Sequence, residues 1–218
     1  MRRLFLLISA LVVVAVLLAS ACRQGAIELS GIEVREYKGE NLSSVQDFRD
    51  NSIKGPQYVD QDSYELTIDG LVQTPVTLSY DEVVDNNDLY KKVVTLNCVE
   101  GWSANILWEG MLVTDLFEQT GVLPEAKVVI FHAADGYTTS FAIEYITDNN
   151  IIMAYKMNDV TLPPERGFPF QLVAESKWGY KWIKWITRIE LSDDINYKGY
   201  WEQRGYSNDG DLDGSKFD

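Results

Sequence analysis

From Tyr64 onward the chain is cut into short apolar runs closed by Gly, Pro, Asn or Asp, and a chain punctuated in this way cannot build long helices. Tyr64 to Asp69 alternates apolar and polar side chains and stops at Gly70, and Val76 to Leu78 follows a Thr-Pro turn. Val93 to Leu96, Val128 to Phe131, Thr138 to Phe141, Ile151 to Ala154, Phe170 to Val173 and Ile186 to Leu191 read as further strands. Two short helices are expected. One runs from Ser79 to Val84, opened by a Ser or Asp cap; the other is capped by Thr114, runs through Gln119 and stops at Gly121. The class is α+β: a β-rich, mixed, single domain. Of the 218 residues 46% are hydrophobic, which suffices for one full core.

The N-terminus is of another kind. Leu4 to Ala21 is apolar except for Ser9 and Ser20, follows Arg2-Arg3, and ends at Ala19-Ser20-Ala21-Cys22. A basic start, an apolar run and small residues before a cysteine make an export signal. Small residues let a peptidase reach the backbone before Cys22, whose thiol suits lipidation. Residues 1–21 are therefore read as signal peptide and 22–44 as a lipidated N-terminus and linker. An uncleaved membrane anchor is the alternative, since a largely apolar run of 18 residues just reaches across a bilayer. Either way the domain lies outside the cytoplasm, on the periplasmic or outer face of the membrane. Arg2-Arg3-Leu4-Phe5-Leu6 also resembles a twin-arginine address. A cofactor assembled in the cytoplasm would require that folded route, whereas the greasy apolar run alone suits the unfolded one.

The net charge is −14, and losing Arg2 and Arg3 with the leader takes it to −16. A body so acidic repels phosphate backbones, which excludes nucleic acid as a partner. Only Cys22 and Cys98 are present, so lipidation of Cys22 leaves Cys98 without a partner in the chain. A lone thiol in an oxidising compartment is an inert core cysteine, a nucleophile or a metal ligand. His132 is the only histidine. A zinc site of Cys and His therefore lacks ligands, and a Cys-His dyad would have to use His132. No G-x-S-x-G, P-loop or G-x-G-x-x-G occurs. Asp209-Gly210-Asp211-Leu212-Asp213-Gly214 matches the first half of a calcium loop. Its twelfth position falls beyond Asp218, so calcium is not expected and residues 208–218 read as a solvated acidic tail.

Thr95-Leu96-Asn97-Cys98-Val99-Glu100-Gly101-Trp102-Ser103 resembles the metal-ligand segment of the sulfite-oxidase superfamily, in particular the branch with the periplasmic methionine-sulfoxide reductase catalytic subunit. The likeness continues in order through Trp108-Glu109-Gly110, Asp135-Gly136-Tyr137-Thr138-Thr139 and Leu162-Pro163-Pro164-Glu165-Arg166-Gly167-Phe168-Pro169. It ends with Lys177-Trp178-Gly179-Tyr180-Lys181-Trp182-Ile183-Lys184-Trp185 and Tyr200-Trp201-Glu202-Gln203-Arg204-Gly205-Tyr206. It covers about residues 45–207, the stretch assigned to the molybdopterin-binding oxidoreductase domain.

The resemblance implies a molybdenum atom held by the dithiolene of one pterin and by the Cys98 thiolate, a soft ligand suited to a transition metal. It implies Trp182, Ile183 and Lys184 at the pterin phosphate, Arg166 and Asp135 as further cofactor contacts, and Asn51, Ser52 and Ile53 as the arm crossing the pterin. Gln171 stands where the family usually has an arginine, so one phosphate contact is missing unless Arg166 compensates for it. Tyr206 matches the tyrosine that points at the metal, and with Cys98 completes the catalytic pair. The implied activity is two-electron oxygen-atom transfer. The segment after Cys98 lacks the arginines with which sulfite oxidases hold their anion, and Asn51 replaces another. A neutral sulfoxide or N-oxide is therefore the expected substrate. No C-x-x-C-H haem attachment occurs, so electrons must pass through a separate partner, a membrane haem protein or a quinol-linked one. Two other readings remain: a lipoprotein binding module that keeps the fold without turnover, and a thiol redox protein using Cys98 alone.

Overall fold

The computed structural model describes residues 32–218. The expected export signal and the expected lipidation site Cys22 lie outside the described residues. A short antiparallel ribbon of β1 (Glu36–Tyr37) and β2 (Glu40–Asn41) precedes two five-stranded sheets that share one buried core. In the first, β5 (Tyr90–Asn97) pairs with β6 (Ser103–Leu112), β6 with β9 (Ile152–Met157), and β9 with both β10 (Val160–Thr161) and β11 (Gln171–Val173). Every pairing there is antiparallel. The second runs β4 (Val76–Ser79), β3 (Glu65–Gly70), β12 (Ile186–Ser192), β7 (Val128–Ala133), β8 (Thr138–Ala142). Here β3 and β12 are parallel, with Ile68 opposite Ile189. Alternation decides the faces. Leu66, Ile68, Phe131, Ile189 and Leu191 point inward and are buried, while Asp69, His132, Arg188 and Glu190 stand on the outer face as an ion-paired row.

The strands expected between Tyr64 and Leu191 are present. β6 was not anticipated, because Glu109 and Gly110 interrupt its apolar pattern. Glu109 is nevertheless buried, paired with Lys91 at 2.6 Å and accepting from the Asp159 N–H at 3.0 Å. Gly110 sits at a bulge against β9, where a Cβ would lie 2.1 Å from the Met153 carbonyl oxygen. Only glycine fits such an approach of two backbones.

Of the helices, α1 (Tyr80–Asp85) has the expected Ser79 cap, completed by Glu82 as a capping box. α2 (Val113–Thr120) ends at Gly121 in the left-handed region as expected, but Thr114 is not its cap. β6 runs straight into the helix at Leu112, and the Val113 N–H donates to Ile151 O at 2.9 Å, so the tertiary structure does the capping. α3 (Ile143–Asp148) follows β8 without a side-chain cap, leaving no start signal in the sequence. Among the described residues no helix is long and apolar enough to cross a membrane.

Residues 208–218 are not a solvated tail. The Trp178 N–H donates to Gly210 O at 2.8 Å, Leu212 N–H to Ser176 O at 2.9 Å, and Lys177 pairs with Asp211. Beneath them Lys181 is fully buried and donates to Ser140 O at 2.7 Å, Asn208 O at 2.8 Å and Glu202 Oε1 at 2.8 Å. Composition argued for solvation, but a buried ammonium needs acceptors, and the tail backbone supplies one.

Candidate active site

β5 delivers Cys98 and β6 carries the chain back, Asn97 facing Ser103. The five-residue turn between them is closed by Cys98 N–H to Trp102 O at 2.9 Å and Gly101 N–H to Cys98 O at 3.0 Å, with Gly101 at φ +91°. Cys98 is 6% exposed and is a free thiol. Burial pushes the thiol up from its ordinary range, and the Glu100 carboxylate adds to this; hydrogen bonds from the Glu100 and Val99 N–H groups and from Asn51 work the other way. Asn51 Nδ2 donates to Sγ at 3.4 Å.

The segment from Lys177 to Trp185 passes under this turn. Gly179 permits it: a Cβ there would lie 3.2 Å from Asn97 O and 3.4 Å from Cys98 Cα. Trp182 Nε1 donates to Lys177 O at 3.0 Å and Trp185 Nε1 to Pro164 O at 2.7 Å, so two buried indoles anchor the backbone around Lys184. Trp185 adopts φ +54°, a region costly to a bulky residue that must be held by its surroundings. Lys184 Nζ pairs with Asp50, donates to Glu165 O at 3.1 Å and lies 4.3 Å from the Trp185 ring centroid. Desolvation lowers its pKa, partly offset by Asp50.

These elements enclose a cavity of about 380 Å³. All eleven residues expected at the cofactor or the chemistry line it: Asn51, Ser52, Ile53, Cys98, Asp135, Arg166, Gln171, Trp182, Ile183, Lys184 and Tyr206. Asp135 is 2% exposed and accepts from the Tyr137 N–H at 2.9 Å. Gln171 is buried at the start of β11. Arg166 stacks on Phe48, 3.9 Å from the ring centroid, donates from Nε to Val45 O at 2.8 Å and also donates to Phe48 O. Two of its five donors thus hold the arm and are not available to stand in for the arginine absent at Gln171. Tyr206 packs against Tyr180, Trp201 and Phe217, and its hydroxyl has no protein partner among the described residues. His132 does not line the cavity and pairs with Glu190 at 2.9 Å, which removes the Cys-His dyad.

Sequence reasoning did not single out Phe48, Asp50, Glu100, Tyr137, Tyr180 or Trp201, which also line the cavity. Tyr137, Tyr180 and Trp201 lie within the quoted motifs, so their proximity to Asp135, Lys181 and Tyr206 was the available signal. Asp50 had none, because its partner Lys184 is 134 residues away.

The donor set can be tested against a metal. Among the described residues no three His, Cys, Asp or Glu side chains gather to hold an ion. Cys98 offers one soft ligand, so a metal here must bring its remaining ligands with it. A cofactor carrying a metal and its own sulfur ligands meets that condition, and the cavity lies in the usual range for small-molecule sites, roughly 300–1,000 Å³.

Comparison with known proteins agrees. The model of the oxidoreductase molybdopterin binding domain matches residues 53–201. The oxidoreductase YuiH of Bacillus subtilis is 34% identical over 72% of this chain and 78% of its own length. A putative protein-methionine-sulfoxide reductase subunit, YedZ1 of Azospira oryzae, is 33% identical over 68% of this chain and 56% of its own. Mitochondrial sulfite oxidase of Drosophila melanogaster is 30% identical over 65% of this chain and only 27% of its own. In fold the chain is similar to the sulfane dehydrogenase SoxCD of Paracoccus pantotrophus, with a TM-score of 0.63 over 69% of this chain and 42% of that one at 23% identity. With a thiol-headed cavity of cofactor size and a family match over most of its length, the chain belongs to the oxidoreductase molybdopterin binding domain family, the sulfite-oxidase superfamily, and is an enzyme of the oxidoreductase class.

Proposed function

We propose that this enzyme reduces a small neutral oxide, a sulfoxide or N-oxide, and does not oxidise sulfite. One observation carries the reading. Three cationic side chains line the cavity and each is already engaged: Arg49 pairs with Glu100 at 3.6 Å, Lys184 with Asp50, and Arg166 donates to the Val45 and Phe48 carbonyls. Asp50, Glu100, Asp135 and Glu165 outnumber them. A cofactor phosphate would draw on Lys184, and the surplus of carboxylates then leaves the cavity an acidic lining that opposes a dianionic substrate.

When bound, the molybdenum–pterin group supplies the two-electron redox chemistry. The chain's own residues do the rest. Cys98 gives the protein ligand, and Asn51 orients its sulfur by a hydrogen bond. Trp182, Ile183 and Lys184 hold the phosphate end, with Asp135, Arg166, Gln171, Ser52 and Ile53 around the pterin. Tyr206 presents a free phenol O–H that donates to the substrate oxygen and keeps it oriented. Phe48 and Trp102, with ring centroids 5.6 Å apart, give the cavity an apolar edge that a neutral substrate can enter.

Electrons come from a separate redox partner, membrane-bound and haem- or quinol-linked; the YedZ1 relative, described as a reductase subunit, supports a partnered enzyme. Leader processing and lipidation at Cys22 would tether the enzyme to the outer face of the membrane, and loading before export requires the folded, twin-arginine route. Arg2→Lys with Arg3→Lys should then leave loaded, unprocessed protein in the cytoplasm. The test of the activity is metal analysis of purified enzyme, followed by assays with a dye donor and dialkyl sulfoxides and with a dye acceptor and sulfite. Molybdenum near one per chain with sulfoxide turnover is the expected result. Sulfite oxidation faster than sulfoxide reduction rejects the assignment.

A further inference from the structure

The chain beyond residue 201 lies outside the matched family region, yet it reaches the cavity. Tyr206 lines the cavity with Tyr180 and Trp201. The last four residues run back alongside it. Ser207 N–H donates to Lys216 O at 3.0 Å and Asp218 N–H to Gly205 O at 3.2 Å, so Phe217 is bridged to Tyr206 from both sides. The two rings are 4.9 Å apart. Lys216 Nζ then crosses to the cysteine turn, donating to Val99 O at 3.4 Å and lying 4.2 Å from the Trp178 ring centroid. Lys198 pairs with Asp218 at 3.1 Å.

An irregular surface segment ordinarily stays mobile unless something holds it. Here backbone bonds, an ammonium contact and an ion pair all hold a segment whose one large apolar residue, Phe217, stays 56% exposed. Burying that residue is not what the docking achieves. What Phe217 touches is the Tyr206 ring, whose hydroxyl has no protein partner among the described residues and so takes its direction from ring packing alone.

We propose that residues 215–218 form a strap in which Phe217 is a positioning residue for Tyr206, with Lys216 fixing the strap to the Cys98 turn. The inference rests on the reading of Tyr206 as the residue that orients substrate. Tyr180 and Trp201 also pack on the Tyr206 ring, with centroids 5.0 and 5.3 Å away, so removing Phe217 takes away one of three ring contacts and leaves the other two. A small displacement of an orienting group lowers turnover more than binding.

The test uses the full-length, metal-loaded enzyme with Phe217→Ala and Phe217→Leu, each alone and in a Tyr206→Phe background. Turnover is measured on a dialkyl sulfoxide with a reduced viologen donor, and strap docking by hydrogen exchange at the Ser207 and Asp218 amides. Phe217→Ala should lower kcat about tenfold, with KM and molybdenum content unchanged. Phe217→Leu should restore most of the loss, and Phe217→Ala should add nothing to Tyr206→Phe. Both amides should be protected in the wild type and remain so in Phe217→Ala, because the backbone bonds and Lys216 hold the strap without the ring. The proposal is overturned if the wild-type amides exchange freely, if Phe217→Ala leaves kcat unchanged, or if the loss is equally large when Tyr206 is already Phe. A wild-type enzyme that turns over only sulfite rejects the substrate reading separately, and the same kcat comparison is then made on sulfite.

Discussion

Lys181→Met isolates the contact on which the C-terminal segment depends. The ammonium has no exposed surface and three acceptors, one of them the equally buried carboxylate of Glu202, which also accepts from Thr139 Oγ1 at 2.6 Å. Methionine matches the lysine stem in length, so the cavity term is small and the loss is electrostatic. Stranding a buried charge by removing its partner costs about 3–5 kcal/mol. For a domain of this size, about 2–4 °C of melting temperature goes with each kcal/mol, so Tm should fall by roughly 6–20 °C. Denaturant titration gives the free energy directly, with an unchanged slope if the native state keeps its compactness. The double variant Lys181→Met with Glu202→Gln removes the stranded charge while keeping an acceptor for Thr139. It should recover about 1–3 kcal/mol, leaving the orphaned Ser140 and Asn208 carbonyls as the residual penalty. Hydrogen exchange should rise first in residues 207–218. A loss below about 1 kcal/mol, or a double variant no better than the single one, refutes the claim that this pair holds the segment down.

Four further outcomes are expected. Cys98→Ser should abolish turnover while leaving the melting temperature within a few degrees, because an alcohol is a far poorer molybdenum ligand than a thiolate; full turnover would reject Cys98 as the essential ligand. Lys184→Ala should lose cofactor on dialysis, since one charge-assisted contact contributes about 1.5–3 kcal/mol and Gln171 supplies no second cation; normal metal content after dialysis counts against it. Gly110→Ala should destabilise by about 1–3 kcal/mol or more, because its Cβ would meet the Met153 carbonyl oxygen at 2.1 Å and backbone must give way; a neutral effect would show that β6 and β9 are not so close. Glu33 gives a pH dependence. Burial alone would push its carboxyl up, but hydrogen bonds from the Val45 N–H, Asn158 and Ser44 outweigh it and hold it below the usual range. Its contribution is present above the unfolded value of about 4.3 and is lost as pH falls through the lower folded value. Glu33→Gln should therefore melt below wild type at neutral pH and converge with it in strong acid; a constant gap across that range refutes the linkage.

The sequence was most informative where side-chain type alone set the structure. Val93, Val94 and Leu96 are apolar and lead through Asn97 to Cys98, so a strand presenting Cys98 followed from the pattern, although with Thr95 exposed it buries one face only and is not the fully buried strand expected. Ser79 and Glu82 have the spacing of a capping box, and the box is there. β6 was hidden because Glu109 and Gly110 look like interruptions; the buried carboxylate depends on Lys91 in β5 and on the Asp159 N–H 50 residues on, and the backbone-to-backbone approach depends on β9. α3 carries no cap, and α2 is capped by a carbonyl from Ile151, so neither start is written locally.

The arm and the tail were hardest to read, and for one shared reason. Arg166 grips the arm through the Val45 and Phe48 carbonyls, and Lys181 grips the tail through the Asn208 carbonyl. In both cases a buried cation finds its acceptors on the backbone of an irregular segment, 118 or more residues away for the arginine and 27 for the lysine. Backbone carbonyls are the same in every residue, so no side-chain pattern announces them. A cation in the sequence suggests a carboxylate or a phosphate as partner. Here the two cations that most shape the cavity serve first to decide which irregular stretches become its walls. The arm thereby brings Asp50 and Asn51 to Lys184 and Cys98, and the tail brings Phe217 to Tyr206. Charge in this enzyme does its main work as structure, holding irregular segments against the cavity before it can meet any ligand inside it.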